Sequence, residues 1–293
     1  MYVVDQTGML FTIVPPVVID GKLTNSGELT LSGNASVLGD LENSGELSVN
    51  GTTSVSGNLQ NDDKITLSDD TLISGNLTNN SNFILSGDIT VSGNFADSGT
   101  WTHTAGKSII LNGAGTQETQ TFAAKDASVD YSIVVNKSGT DGVVEFTNAI
   151  TLTRLNCSTN NYAGKLLFTG EENQSFKPED ESIFTYADIE INKVNASGTP
   201  AGTFTFTDKL KVSNLSIGKS TSTTFDGAVQ IGTFTDSADS GAIIFVDGGK
   251  ILSDTTFNTT GKLTIGSAGE TFAFETTDAT PVQKNVVHTA GET

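Results

Sequence analysis

Two pairs of neighbouring aspartates, Asp62-Asp63 and Asp69-Asp70, and the run Glu179-Asp180-Glu181 are the places where this chain could do acid–base chemistry. Paired carboxylates cleave glycosidic bonds, and clustered carboxylate oxygens also suit calcium. Such sites need a basic residue close by, and neither cluster has Arg or His beside it in sequence. Adjacent acids at turns are ordinary solvated surface, so neither cluster is given a catalytic or calcium-binding role. The two histidines, His103 and His288, both stand in the phrase "HTAG", which marks them as repeat residues and not as parts of a nucleophile relay or zinc set. Cys157, the single cysteine, excludes an internal disulfide and reads as a small buried or half-buried thiol. No catalytic, cofactor-binding or metal-ligating residue is assigned, no cofactor is implied, and the chain is expected not to be an enzyme.

What would position any chemistry is a repeat. From Gly21 a step of 18 residues reaches Gly39, Gly57, Gly75 and Gly93 without insertion or deletion. The third residue of each unit is Leu23, Leu41, Leu59, Leu77 or Phe95; the ninth is Leu29, Leu47, Ile65, Phe83 or Trp101. The eleventh is Leu31, Val49, Leu67, Leu85 or His103, and the seventeenth is Val37, Val55, Ile73, Val91 or Ile109. Apolar residues two apart, as at Leu29 and Leu31, are strand alternation. Each unit therefore reads as three short strands and three corners, with glycine at the corners for its access to positive φ.

A strand pattern with a fixed short period calls for coils stacked with parallel strands ~4.8 Å apart, a parallel β-helix in which like residues form columns. Proline is absent from residues 21–110, as a ladder of backbone donors requires. The fifth position, Asn25, Asn43, Asn61, Asn79 and Asp97, is expected to stack as an amide ladder, and Phe83 and Trp101 are expected to stack inside. After Leu111 the beat fails while strand-like runs continue. A longer echo links "QTF" at Gln120 followed by "VVNKSG" to "QSF" at Gln174 followed by "EINKVNASG". Coils of uneven length with inserted loops at 156–164 and 170–182 account for this; a separate sandwich domain is the competing reading. Roughly sixteen coils of ~18 residues would use the whole chain.

Acidic residues outnumber basic ones 34 to 15, and 12 to 3 within residues 1–110. Such a surface repels nucleic acid and anionic membranes. Arg154 is the one arginine, so the guanidinium fork that grips phosphate is nearly missing. The opening "MYVVDQTGMLFTIVPPVVID" lacks a basic region and is broken by Pro15-Pro16, so it does not read as a signal or membrane helix.

Units of the form N-S-G-x-L-x-L-S-G, at 25–33 and 43–51, resemble the repeats of bacterial autotransporter passenger domains and filamentous-haemagglutinin-type adhesins. That resemblance covers residues 21–110 well and 111–293 loosely. It implies a right-handed parallel β-helix displayed outside a bacterial cell, as an adhesin or as a stalk. The sequence departs from the pattern in having no identifiable signal region, secretion domain or membrane barrel. A left-handed β-helix, as in hexapeptide acyltransferases, is the alternative. There an aliphatic residue is followed four later by Ser, Thr, Ala or Val, and here glycine follows Leu23, Leu29, Leu41 and Leu47.

The expectation is thus an all-β solenoid with an N-terminal lead-in coil (1–20), five regular coils (21–110) and an irregular continuation (111–293). "HTAGET" at His288 echoes "HTAGKS" at His103, which suggests a segment of a longer repetitive protein. Its expected role is a non-enzymatic extracellular or cell-surface scaffold or adhesin. A host-matrix protein or glycan is the candidate partner, with no nucleic acid and no membrane insertion. A purely structural stalk or surface-layer component and a carbohydrate-active enzyme are the alternatives.

Overall fold

The structure is a computed structural model and describes residues 2–4, 10–13, 16–113, 119–125, 131–137, 142–157, 162–180, 184–266, 271–275, 283 and 285–288, with backbone alone for 2–4, 10–13 and 288. It is all-β, with no helix among the described residues, and its parallel strands stack as a β-solenoid of about 12 turns. The chain divides into two compact units, Met1–Ser138 and Gly139–Thr293.

In the first unit each coil from Gly21 to Leu111 contributes one strand to each of three walls. The first wall contains Leu23–Asn25, Leu41–Asn43, Leu59–Asn61, Leu77–Asn79 and Phe95–Asp97. The second contains Glu28–Leu31, Glu46–Val49, Lys64–Leu67, Asn82–Leu85 and Thr100–His103. The third contains Val17–Ile19, Ala35–Val37, Thr53–Val55, Thr71–Ile73, Ile89–Val91 and Ile109–Leu111. Neighbours pair in parallel with an offset of 18, as at Leu41 on Leu59 and Leu47 on Ile65. Leu23, Leu41, Leu59, Leu77 and Phe95 are at most 1% exposed, so the expected columns are the core. Trp101 stacks on Phe83 with ring centroids 4.5 Å apart inside that core.

The fifth-position column is a continuous buried ladder. Asn25 Nδ2 donates to Asn43 Oδ1, Asn43 to Asn61, Asn61 to Asn79, and Asn79 to Asp97 Oδ1, each at 2.8 Å. Every amide also donates to a carbonyl two residues on in its own coil, such as Asn43 Nδ2 to Gly45 O at 2.8 Å. Asp97 ends the series for a chemical reason. The residue stacked on it is Ala124, which offers no acceptor for a further amide. A carboxylate only accepts, and its Oδ2 receives the Tyr131 hydroxyl at 2.7 Å.

Gly21 has the expected positive φ, at 110°, but glycine serves the later corners for another reason. Among the corner glycines from Gly39 to Gly99 none has positive φ. What excludes a side chain is the coil beneath: a Cβ on Gly75 would lie 2.6 Å from Asn58 Oδ1 and from Gly57 O. The contact exists because Asp40, Asn58, Asn76 and Asn94 accept the backbone N–H one coil on, from Asn58 (2.7 Å), Asn76 (2.8 Å), Asn94 (2.7 Å) and Thr121 (2.9 Å).

Two expectations about spacing are corrected. Ile109 does not continue the Val37 column: it pairs with Ile89, and Leu111 takes the place over Val91. Two extra residues enter at the corner after His103, where Lys107 N bonds Thr104 O and Gly106 has φ 83°. The beat therefore breaks inside the fifth unit and not after Leu111. Sixteen coils become about 12 because later coils are longer. In the second unit Phe146 pairs Phe168 after 22 residues, and Ile191 pairs Ile217 after 26.

The second unit keeps the parallel stacking, which a sandwich of antiparallel sheets would not, with a different coil. Its first sheet includes Val143–Thr147, Lys165–Thr169, Tyr186–Asn192, Leu210–Lys219 and Val229–Asp236. Its second includes Ile150–Leu152, Gln174–Phe176, Thr203–Phe206, Ser222–Phe225 and Ala242–Phe245. In Leu210–Lys219 two exposed residues, Ser213 and Asn214, separate the buried pairs Leu210/Val212 and Leu215/Ile217. One strand thus turns a corner without leaving its ladder. Phenylalanines replace leucines inside, with Phe206, Phe225 and Phe245 stacked at 4.9 and 4.7 Å.

Cutting the amide ladder at its middle tests its weight. Asn61→Ala leaves buried partners above and below unpaired and should cost about 2–3 kcal/mol, read as a lower urea midpoint, while Thr66→Ala on the outer face should stay within about 0.5 kcal/mol.

Candidate functional site

The third wall of the first unit carries a trough on its outer side. Strand alternation turns Val18, Ser36, Ser54, Leu72, Thr90 and Ile110 outward while Val17, Ala35, Thr53, Thr71 and Ile89 face the core. The registers place these outward side chains one above another in a single row. Val18 is 62% and Leu72 43% exposed, in a row without a charge. One rim is formed by the corner residues Asn34, Thr52, Asp70 and Asp88, and the open space above the row is about 640 Å³. The rim is held by coil-to-coil bonds. Asn34 Oδ1 accepts Thr52 N at 3.1 Å, Asp70 Oδ1 accepts Asp88 N at 2.9 Å, and Asp88 Oδ1 accepts Ser108 N at 2.7 Å. Lys107 Nζ lies 3.8 Å from Asp70 and 3.6 Å from Asp88.

The acids singled out by sequence fall into structural places. Asp70 is part of that rim, and Asp69 Oδ1 accepts the N–H of Asp70 at 2.8 Å. Asp62 accepts from Gln60 Nε2 and Asn80 Nδ2, both at 2.7 Å, and Asp63 is exposed. Glu179 Oε1 accepts the Cys157 N–H, and Glu179 N donates to Tyr186 Oη at 2.9 Å. Asp180 shares with Lys177, Pro178, Glu179, Asp208 and Lys209 a cleft of about 320 Å³ whose Lys177 and Asp208 lie 3.8 Å apart. Glu181 lies outside the described residues. Among the described residues no three His, Cys, Asp or Glu side chains come together so as to hold a metal ion. None of the described residues forms a helix long and apolar enough to cross a membrane.

The histidines end strands: His103 is half-buried opposite Leu85, and the backbone of His288 pairs opposite Phe257. Cys157 is fully buried, and burial, helped by the Glu179 carboxylate, pushes its thiol well up. Burial likewise raises Tyr162 and Tyr186. The two expected loops are only partly loops. Residues 158–161 and 181–183 lie outside the described residues, but Tyr162 is buried and its hydroxyl donates to Gly142 O at 2.6 Å. Residues 170–182 contain the strand Gln174–Phe176, paired on both sides. The segment that projects is instead Val194–Pro200, closed by an antiparallel bridge, with Asn195 Oδ1 accepting Ser197 N and Thr199 N.

The long echo noted in the sequence marks a device that was not foreseen. Buried Gln120 donates Nε2 to Val91 O (2.8 Å) and Gly93 O (2.6 Å). Buried Gln174 donates Nε2 to Phe146 O (3.2 Å) and Asn148 O (2.7 Å), the same two-residue spacing. Each glutamine is followed by a buried lysine, Lys137 and Lys193, at the end of the echoing "NK" pair. Burial lowers both lysines; Lys193, which donates to Thr169 O at 3.3 Å, is brought to about 8 against a small opposing pull from Glu172. The repeated Gln and Lys were the available signal, hidden because buried lysine is rare enough that its default reading is surface.

No protein-family model, curated protein or solved structure matches the chain.

Two measurements follow from these environments. Lys193 sits at about 8 in the fold against 10.5 when free, so the unfolded chain binds more protons between those values and stability should rise with pH across that window. Lys193→Met should remove that part of the rise, seen as a smaller gain in urea midpoint between pH 7 and 10 than in the native chain. Cys157 should react with a thiol reagent only in denaturant; labelling of the native chain at the rate of a free thiol would show that this coil opens.

Proposed function

We propose that the chain is a non-enzymatic extracellular scaffold, an adhesin-like segment of a longer repetitive bacterial surface protein. The observation that carries this reading is where the polar side chains are engaged. Asp40, Asp62, Asp70 and Asp88 all bond the next coil, Asp97 bonds the one before it, and Glu179 bonds a backbone amide of its own unit. An acid held this way supports a corner and is poorly placed to shuttle protons. Outside, each wall offers side chains at one constant pitch, so weak contacts to a repetitive partner add along it. The N-S-G-x-L-x-L-S-G units support display on a bacterial surface, with a host-matrix protein or glycan as partner. The regularity of the coils from Gly21 to His103 also favours a second reading, a stalk that binds nothing itself.

Display of the intact chain on beads against a panel of matrix proteins and glycans separates these readings. Adhesion should exceed that of the free chain by a factor of ten or more. Silence across the panel would leave the stalk. Polysaccharide cleavage that co-purifies with the chain and is lost in a folded Asp70→Asn or Asp88→Asn variant would replace both with an enzyme.

A further inference from the structure

The trough on the third wall of the first unit has a chemistry that selects among occupants. The wall's backbone N–H and C=O groups are engaged between coils, as in Val17 N to Asn34 O, Ala35 N to Thr52 O and Thr53 N to Asp70 O. Its face therefore offers side chains only, and a peptide cannot add to it as a further strand. Hydroxyls at Ser36, Ser54 and Thr90 share the floor with the aliphatic groups of Val18, Leu72 and Ile110, while amide and carboxylate groups of Asn34, Asp70 and Asp88 stand along the rim. That mixture matches a ligand with hydroxyl edges and apolar C–H faces.

Charge and size narrow the choice. The floor is uncharged, the rim acids are partly balanced by Lys107, and residues 1–110 carry 12 acidic against 3 basic side chains, so an anionic ligand is repelled. Six strands give five steps of ~4.8 Å, a length of about 24 Å. With a width of three residues, the face covers a few hundred Å², well short of the roughly 800 Å² per partner of a stable protein interface. The volume of about 640 Å³ lies within the range that small ligands occupy.

We infer that this trough is a binding site for a neutral, extended glycan, with successive sugar rings lying across successive strands. The inference rests on the scaffold reading above and deepens it by naming the partner's class. Hydroxyls at Ser36, Ser54 and Thr90 hydrogen-bond the ring substituents, and Val18, Leu72 and Ile110 contact the ring faces. No aromatic side chain lines the trough, so single-site affinity is weak, and avidity along many copies supplies adhesion.

The test is titration of the full chain with cellohexaose, a neutral hexasaccharide, beside a heparin hexasaccharide and a chitosan hexamer. Cellohexaose should bind saturably with Kd of about 0.1–5 mM, unchanged by added salt, the heparin hexasaccharide at least tenfold more weakly, and the chitosan hexamer no more tightly once about 0.5 M salt screens its attraction to the acidic surface. Ser54→Glu or Leu72→Asp should weaken it at least tenfold, while Thr66→Glu on the second wall leaves it unchanged. Should either floor variant fail to fold, chemical-shift changes in the native chain must centre on Asn34, Ser36, Ser54, Leu72 and Thr90. No saturation below ~20 mM, a preference for either charged hexamer in the added salt, or shifts on another wall would overturn the site. If cellohexaose fails while displayed chain still adheres to the matrix panel, the glycan site falls and the scaffold reading stands; if both fail, both fall.

Discussion

Everything in the first unit follows from one constraint, the hydrogen bond from each coil to the next at the fixed spacing of parallel strands. Within the strands a residue cannot bond its own coil neighbour, so the strand backbone is satisfied by residues about one coil away. Once that spacing is imposed, identical side chains lie on top of one another, and each column has to be made of residues that tolerate their own kind. Leucine and valine do so by packing. Asparagine does so because its amide both donates and accepts along the axis, which makes the column from Asn25 to Asn79 a chain of complete bonds within the core. Glycine does so at corners where coils come too close for a Cβ, as at Gly75.

The same constraint explains the places where the pattern changes. A ladder of amides must stop on a group that only accepts, and Asp97 with Tyr131 is that stop. Two residues added after His103 shift the third wall by one side-chain pair yet preserve inward and outward alternation, because strand periodicity is two. In the second unit phenylalanines stack inside where the first unit has mostly leucine, as Phe206, Phe225 and Phe245 do. Buried Gln120 and Gln174 donate to carbonyls near the corners, and each is followed by a buried lysine.

For function, the consequence is a separation of roles between inside and corner on one hand and wall face on the other. Asp62, Asp70, Asp88 and Glu179 are tied into coil-to-coil bonds. The outer faces are left with rows of small, mostly uncharged side chains at constant pitch. Recognition by such a surface is repetitive and weak per step, which suits an extended partner presented many times.

Much of this was legible in the sequence where the period was strict. Four apolar columns, the asparagine column and the inward stacking of Phe83 and Trp101 were all readable, because stacking at a constant interval converts sequence position directly into spatial neighbourhood. The trough was equally present as the row Val18, Ser36, Ser54, Leu72 and Thr90, but an alternating strand does not announce which of its outward rows is concave. Past His103 the chain alone determined that strands continue and that Gln120 and Gln174 belong to a longer echo. Only the tertiary structure decided how long each coil is, that Gln174–Phe176 is a paired strand within an expected loop, that Tyr162 turns inward, and that Lys137 and Lys193 are buried. Those outcomes depend on which coil happens to lie against each residue, and that is fixed by hydrogen bonds between segments separated by a varying number of residues, a quantity no local pattern encodes.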